Sequence, residues 1–212
     1  MSSRPVSRGT LVPQRRSGRQ RVEALLAAAG EVFALRGFTA ATMAEVAARA
    51  EANIGSLYRF FPNKDALADA LLERDLTRAE QAYDAAEVLA PAISTGALAD
   101  LVLNLMVDTH DDTKALSALM DAGGQTEDRL GRLRTWALEH IGRLLCAHSP
   151  SLDIGSVEDL AILLLNGMKL MAAMTIEHSA PSSPGAVEEL RAMFRLYLAD
   201  RLHRSEREDG CN

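Results

Sequence analysis

Between residues 53 and 67 the chain reads N-I-G-S-L-Y-R-F-F-P-N-K-D-A-L, and three of its nine aromatic residues, Tyr58, Phe60 and Phe61, fall within four positions. The polar groups set among them suit hydrogen bonding rather than covalent chemistry. The planar guanidinium of Arg59 can pair with a guanine edge or, equally, with a phosphate; the Ser56 hydroxyl can bond several bases, and Ile54 can meet a thymine methyl. Gly55 has no side chain to hold a duplex away. Bond-making chemistry has no comparable support. The chain has no Gly-rich phosphate loop, no H-E-x-x-H and no cysteine cluster. His110 and His140, with Asp108 nearby, lack the nucleophile elbow that a hydrolase of this kind uses. An enzyme, a metal site and a cofactor are therefore not expected.

These residues need elements to hold them, and the spacing of apolar residues supplies helices. Val22, Leu25, Leu26, Ala29, Val32 and Phe33 recur at three and four residues from Arg19 onward, and Gly37 stops that helix after Arg36. Thr42 with Glu45 three residues on fits a capping box for a short second helix from Met43 to Ala50. After a tight break at Glu51 and Ala52, Asn53 can cap a third short helix through Phe60, because its side chain accepts from first-turn amides. Pro62 ends it, and Asn63 can cap a long fourth helix from Lys64 toward Leu89. Two-turn helices are unstable alone and must pack on the first. Short helix, tight turn, short helix is the helix-turn-helix arrangement, whose second helix enters the DNA major groove. Leu57, Phe60 and Phe61 then anchor it, leaving Asn53, Ile54, Ser56 and Arg59 outside.

The rest of the chain also reads as helix. Stripes run through Leu98–Met106, Leu130–Leu145, Leu160–Met171 and Leu190–Leu198, with breaks at Pro91, Gly123-Gly124, Pro150 and Pro181 to Pro184. No alternating strand pattern and no internal repeat is present, so the expected fold is all-α with about nine helices. Residues 1–18 are expected to form a disordered basic arm, 19–64 a helix-turn-helix domain, 65–204 a helical domain and 205–212 a disordered tail. Charge divides the same way. The net charge is −6, yet through Lys64 ten Lys or Arg face four acids, a balance of +6, leaving thirteen against twenty-five, or −12, beyond. A basic third on an acidic body marks a nucleic-acid contact that the average conceals. Asn166 and Lys169 interrupt the best apolar run, so no membrane span is expected; no signal sequence is expected either, since no apolar stretch follows the N-terminal arginines. Cys146 and Cys211 do not make a disulfide framework, which suits a cytoplasmic protein with reduced thiols.

From Arg19 to about Leu76 the chain resembles the N-terminal domain of the TetR family of transcriptional regulators. The resemblance rests on A-A-T-M-A-E-V-A, G-S-L-Y-R-F-F and P-N-K-D-A-L in order at the family's spacing. The chain departs at Glu51, where the family often has Gly, and at Ala41, where a second Thr is common. The resemblance implies phosphate contacts by Thr42, Tyr58 and Lys64, with Asn53, Ile54, Gly55, Ser56 and Arg59 on the DNA side of the recognition helix. Arg15, Arg16 and Arg19 of the arm have a place beside an adjoining minor groove if they are not merely solubilising. It further implies a homodimer through two long helices at about Val157 to His178 and Ala186 to His203, with Gly167, Ala172 and Ala173 permitting close approach. Two recognition helices would then address half-sites of a palindromic operator.

In the resembled family the C-terminal body senses a small-molecule effector. Polar residues that interrupt apolar stripes are the best pointers to such a site, namely Asn104, Asp108, His110, Trp136, His140 and Asn166. Met106, Met168, Met171 and Met174 suit either an adaptable pocket or ordinary core. The expected function is a ligand-responsive regulator, a repressor by the family's usual mode, released from double-stranded DNA by its effector. The alternative is a helical small-molecule carrier or protein-interaction module without sequence-specific DNA binding, against which the basic first third argues.

Overall fold

The computed structural model describes residues 16–109, 126–176 and 179–209, and the described residues contain helices and no strand. There are eight α-helices among them: α1 Arg16–Ala40, α2 Met43–Arg49, α3 Ile54–Phe60, α4 Lys64–Leu89, α5 Thr95–Asp108, α6 Thr126–His148, α7 Ile154–Thr175 and α8 Pro184–Asp209. A 3-10 turn at Ala90–Ala92 joins α4 to α5, with Pro91 at its start. The all-α expectation holds. Two helix ends differ from the sequence reading. α1 begins at Arg16, inside the expected arm, and Gly37 (φ 73°) kinks it instead of ending it, so one further turn reaches Ala40. α8 runs to Asp209, since Glu and Arg are good helix formers with no Gly or Pro before Gly210 to stop them. Residues 1–15 of the expected arm and 210–212 of the tail lie outside the described residues.

The molecule has two compact units. The first runs to Thr77 and takes in the start of α6 up to Leu130; the second comprises the chain from Arg78 onward apart from that segment. In the first unit Leu25, Ala29 and Phe33 of α1 meet Val46 of α2, Leu57 of α3 and Phe61 in one core, all essentially without solvent contact. Leu67, Ala68 and Leu71 of α4 belong to that core too, so this packing unit extends past the helix-turn-helix motif. Each such large side chain stabilises the unit by about 1.5–3 kcal/mol relative to exposure, which is how two seven-residue helices persist.

The second unit is built around Leu98, Val102 and Leu103 of α5, Ile141, Leu144 and Leu145 of α6, Leu164, Met168 and Met171 of α7, and Phe194 and Leu198 of α8. Ser94 caps α5 by accepting from the Ala97 amide, and Asp153 caps α7 by accepting from the Ser156 amide. His148 closes the end of α6: its Nδ1 lies 2.8 Å from the Ala90 carbonyl and its Nε2 3.2 Å from the Thr95 hydroxyl. Met168, Met171 and Met174 are buried in this core among aliphatic side chains. At Gly167 of α7 the Phe194 ring of α8 fills the space of a side chain, for a Cβ there would lie 2.3 Å from Cζ of Phe194. Among the described residues no helix is long and apolar enough to cross a membrane.

Candidate functional site

The first unit holds a helix-turn-helix. Thr42 and Glu45 form the full capping box at the start of α2: the Glu45 amide donates to Thr42 Oγ1 at 3.2 Å, and the Thr42 amide donates to Glu45 Oε2 at 2.9 Å. The Thr42 hydroxyl also donates to Glu45 Oε2 at 2.8 Å. These bonds, the side-chain one first, hold the Glu45 carboxyl below its ordinary range. A phosphate that met Thr42 would take the hydroxyl hydrogen from Glu45. The turn between α2 and α3 places Glu51 at φ 48°, the left-handed region where Gly is at ease. That is one of the two positions at which the chain departs from the resembled pattern, and the turn forms regardless.

α3 divides its residues as the short apolar spacing predicts. Leu57 and Phe60 are buried and Phe61 follows them into the core. Asn53 Oδ1 accepts from the Gly55 amide at 2.8 Å and caps the helix. Asn53, Ile54, Gly55, Tyr58 and Arg59 are exposed, and Ser56 is half-buried. The Arg59 guanidinium carbon lies 4.9 Å from the Phe60 ring centroid, a cation–π contact that holds the charged group against the neighbouring ring on the exposed side. α3 thus presents an amide, a hydroxyl, a phenol and a guanidinium outward, with a methyl-bearing Ile54 and an unobstructed backbone at Gly55.

Lys64 has a different surrounding from the one expected. Its Nζ donates to the carbonyls of Phe38, Thr39 and Ala41 at 2.6, 3.0 and 2.8 Å. An ammonium has three hydrogens, and all three are engaged at the C-terminal end of α1. Lys64 therefore straps the start of α4 to the end of α1, with its charge against the carbonyl end of that helix dipole. Arg129 reinforces the same corner from the start of α6. It is buried, donates to Asp69 Oδ1 at 2.9 Å and Asp65 Oδ1 at 3.0 Å, and lies over the Phe38 ring at 5.3 Å. Burial alone would weaken its hold on the proton, but the bonds to Asp69 and Asp65 outweigh it and raise its pKa.

The six expected effector residues separate. Trp136 and His140, one turn apart on α6, stack with ring centroids 4.1 Å apart, and Tyr83 of α4 meets both edge-on at 5.0 and 5.6 Å. Burial raises the Tyr83 pKa, keeping the phenol neutral. Asn104 is elsewhere: its Oδ1 accepts from Arg191 at 2.8 Å, beside the pair of Arg195 with Asp100, in a polar tie between α5 and α8. Asp108 is exposed at the end of α5. Asn166 is exposed on the outer side of α7, donating to the Ile162 carbonyl. His110 lies outside the described residues. Tyr83 and Arg129 escaped the sequence reading although a signal existed. Ala79, Tyr83, Ala86 and Ala90 follow helical spacing, as do Arg129, Leu133, Trp136 and His140.

Residues 25–71 match the family described as bacterial regulatory proteins, tetR family, which bears out the resemblance drawn from the three motifs. No curated protein matches the sequence. Among solved structures, a TetR-like transcriptional regulator from Rhodococcus sp. RHA1 is 22% identical over 91% of this chain and 99% of its own, with a TM-score of 0.61. A member of the TetR family from Streptomyces coelicolor A3 is 22% identical over 90% and 98%, with a TM-score of 0.62. The multidrug binding protein EbrR, complexed with imidazole, is 22% identical over 86% and 94%, with a TM-score of 0.60. These likenesses establish the fold across most of the chain.

Proposed function

We propose, from a tetR-type DNA-binding domain on an all-α body, that the chain is a transcriptional repressor that binds a palindromic operator as a homodimer and is released by a small-molecule effector. The observation that carries the reading is the outward face of α3, with Ser56, Tyr58 and Arg59 on a helix-turn-helix whose residues 25–71 match the regulatory family. Arg59 and Ser56 face base edges, Ile54 a thymine methyl, and Thr42 and Tyr58 the backbone, while Gly55 admits the duplex. Lys64 holds the frame of α1 and α4. A regulator of this kind would act where its operator DNA lies, in the cytoplasm of a bacterial cell.

Dimerisation is supported by the outer faces of α7 and α8. Ile162, Leu163 and Leu170 on the one, and Met193, Leu196 and Tyr197 on the other, are exposed where a monomer's surface would be polar. Asn166 lies in that exposed stripe and suits the subunit contact better than a ligand site. Effector binding is supported by the fold shared with EbrR, which takes imidazole, and by the aromatic group of Tyr83, Trp136 and His140. Helices α4 and α6 both contribute residues to both units, so a ligand at Tyr83 and Trp136 acts on the helices that carry Lys64, Asp65, Asp69 and Arg129. Release follows if the ligand binds the non-DNA state better.

Purified protein offered a random pool of duplexes should retain a palindrome with half-sites about one helical turn, or a multiple, apart. Retention without sequence, abolished by salt, would return the chain to the carrier reading.

A further inference from the structure

His140 carries a buried ring nitrogen that no described residue meets. The ring is nine-tenths buried, and its Nδ1 lies 2.8 Å from the carbonyl oxygen of Trp136. A carbonyl only accepts, so Nδ1 carries the hydrogen. In that tautomer Nε2 presents a lone pair, and it has no hydrogen-bond partner among the described residues. Buried polar atoms in native proteins are nearly always met, and one that no described residue meets is a place for a bound group. Two aromatic rings pack on it: Trp136 stacks at 4.1 Å and 30°, and Tyr83 stands edge-on at 5.6 Å and 80°. A bridging water needs two or more polar partners, which aromatic faces do not offer. Trp136 itself is only partly buried, so one edge of the aromatic group meets solvent.

We infer that Tyr83, Trp136 and His140 form the recognition point for the effector, and that they select a flat apolar molecule carrying an O–H or N–H that donates to His140 Nε2. The inference rests on the effector reading given above and names the chemistry of that ligand. Against the neutral ring, an acceptor-only molecule such as an ether would leave two lone pairs facing each other and binds less well. The aromatic walls take a planar ring edge-on or stacked.

Trp136 is the chain's one tryptophan, so its fluorescence reports on this point alone. The full chain would be titrated with phenol and with toluene, which match in size and flatness and differ in the donor, exciting where phenol does not absorb. Toluene is the more hydrophobic, so burial alone ranks it first. The expected result is a saturable change in Trp136 emission with phenol bound about tenfold tighter than toluene, the worth of one good hydrogen bond. His140→Phe keeps an aromatic ring and removes the acceptor, and should erase that preference. If His140→Phe loses its helical circular-dichroism signal, the ranking in the unaltered protein decides. Equal affinities, toluene the tighter, or no change at Trp136 would overturn the assignment. Selection of a palindrome alongside no response to phenol sinks this inference and leaves the regulator standing. A donor preference without any selected sequence keeps the recognition point and removes its role as an effector site.

Discussion

Arg59 and Lys64 are two cations five residues apart with opposite surroundings, and substitution should separate them. Arg59 is exposed with its guanidinium over Phe60, so Arg59→Ala should leave stability nearly untouched. If Arg59 reads a base, the variant loses about 1–3 kcal/mol of discrimination at one operator position. Equal loss on every sequence would assign it to the phosphates. Lys64→Ala instead removes three charge-assisted bonds to the end of α1. It should lower the unfolding free energy of the first unit by about 1.5–3 kcal/mol, seen as a lower denaturant midpoint without DNA present. An unchanged midpoint, with DNA affinity alone reduced, would show the strap to be incidental. The sequence places Lys64 correctly at the first position of α4, but not its destination. A lysine's reach is long enough for three carbonyls that are 23 to 26 residues earlier in the chain, and short-range spacing carries no record of such a contact.

Elements were legible where punctuation was strong. Thr42 with Glu45, Asn53, Pro62 and Asn63 each fix a helix boundary by side-chain geometry, and α2, α3 and α4 begin where those residues predict. Gly37 was legible as a break but not as a kink, because a left-handed residue can end a helix or merely turn it, and which occurs depends on what the next turn packs against. Here Phe38 and Ala41 are buried in the core. Gly167 illustrates the converse. Its small size is visible in the sequence, but the ring that needs the space is 27 residues away on α8. Alanine has the better helix propensity by about 1 kcal/mol. Yet a Cβ at 2.3 Å from the buried Phe194 ring must displace it, at a cost of about 1–3 kcal/mol. Gly167→Ala should therefore shift the urea midpoint of the second unit downward. A midpoint that rises would show that Phe194 has room to move.

Across the whole molecule the three ordered motifs foreshadowed the match to the regulatory family over residues 25–71. The charge division, +6 through Lys64 and −12 beyond, fits the proposed division between DNA contact and effector sensing. The effector candidates have unlike surroundings, because a polar residue in an apolar stripe looks alike whether it ties two helices, as Asn104 does, or sits in an aromatic group, as His140 does. Acid stability follows from the helix caps in both units. Glu45 and Asp153 are held below their ordinary values of 4.5 and 3.8, chiefly by side-chain bonds with Thr42 and Ser156 respectively. Their contribution is complete above those values and is lost as pH falls through the lower folded ones, where the unfolded chain binds more protons. The denaturant midpoint should accordingly drop on acidification over that window, and the double variant Glu45→Gln, Asp153→Asn should flatten the drop. An unaltered profile would place the acid sensitivity in other carboxylates. One further consequence belongs to α4. This single uninterrupted helix gives Leu67 and Leu71 to one core and Tyr83 and Ala86 to the other. The amides around Thr77 stay hydrogen-bonded as long as either core keeps its half of the helix in register. Their exchange with solvent deuterium thus runs on the slower clock of the two, and the boundary between the units, ordinarily the first place a protein loosens, becomes one of its late-opening segments.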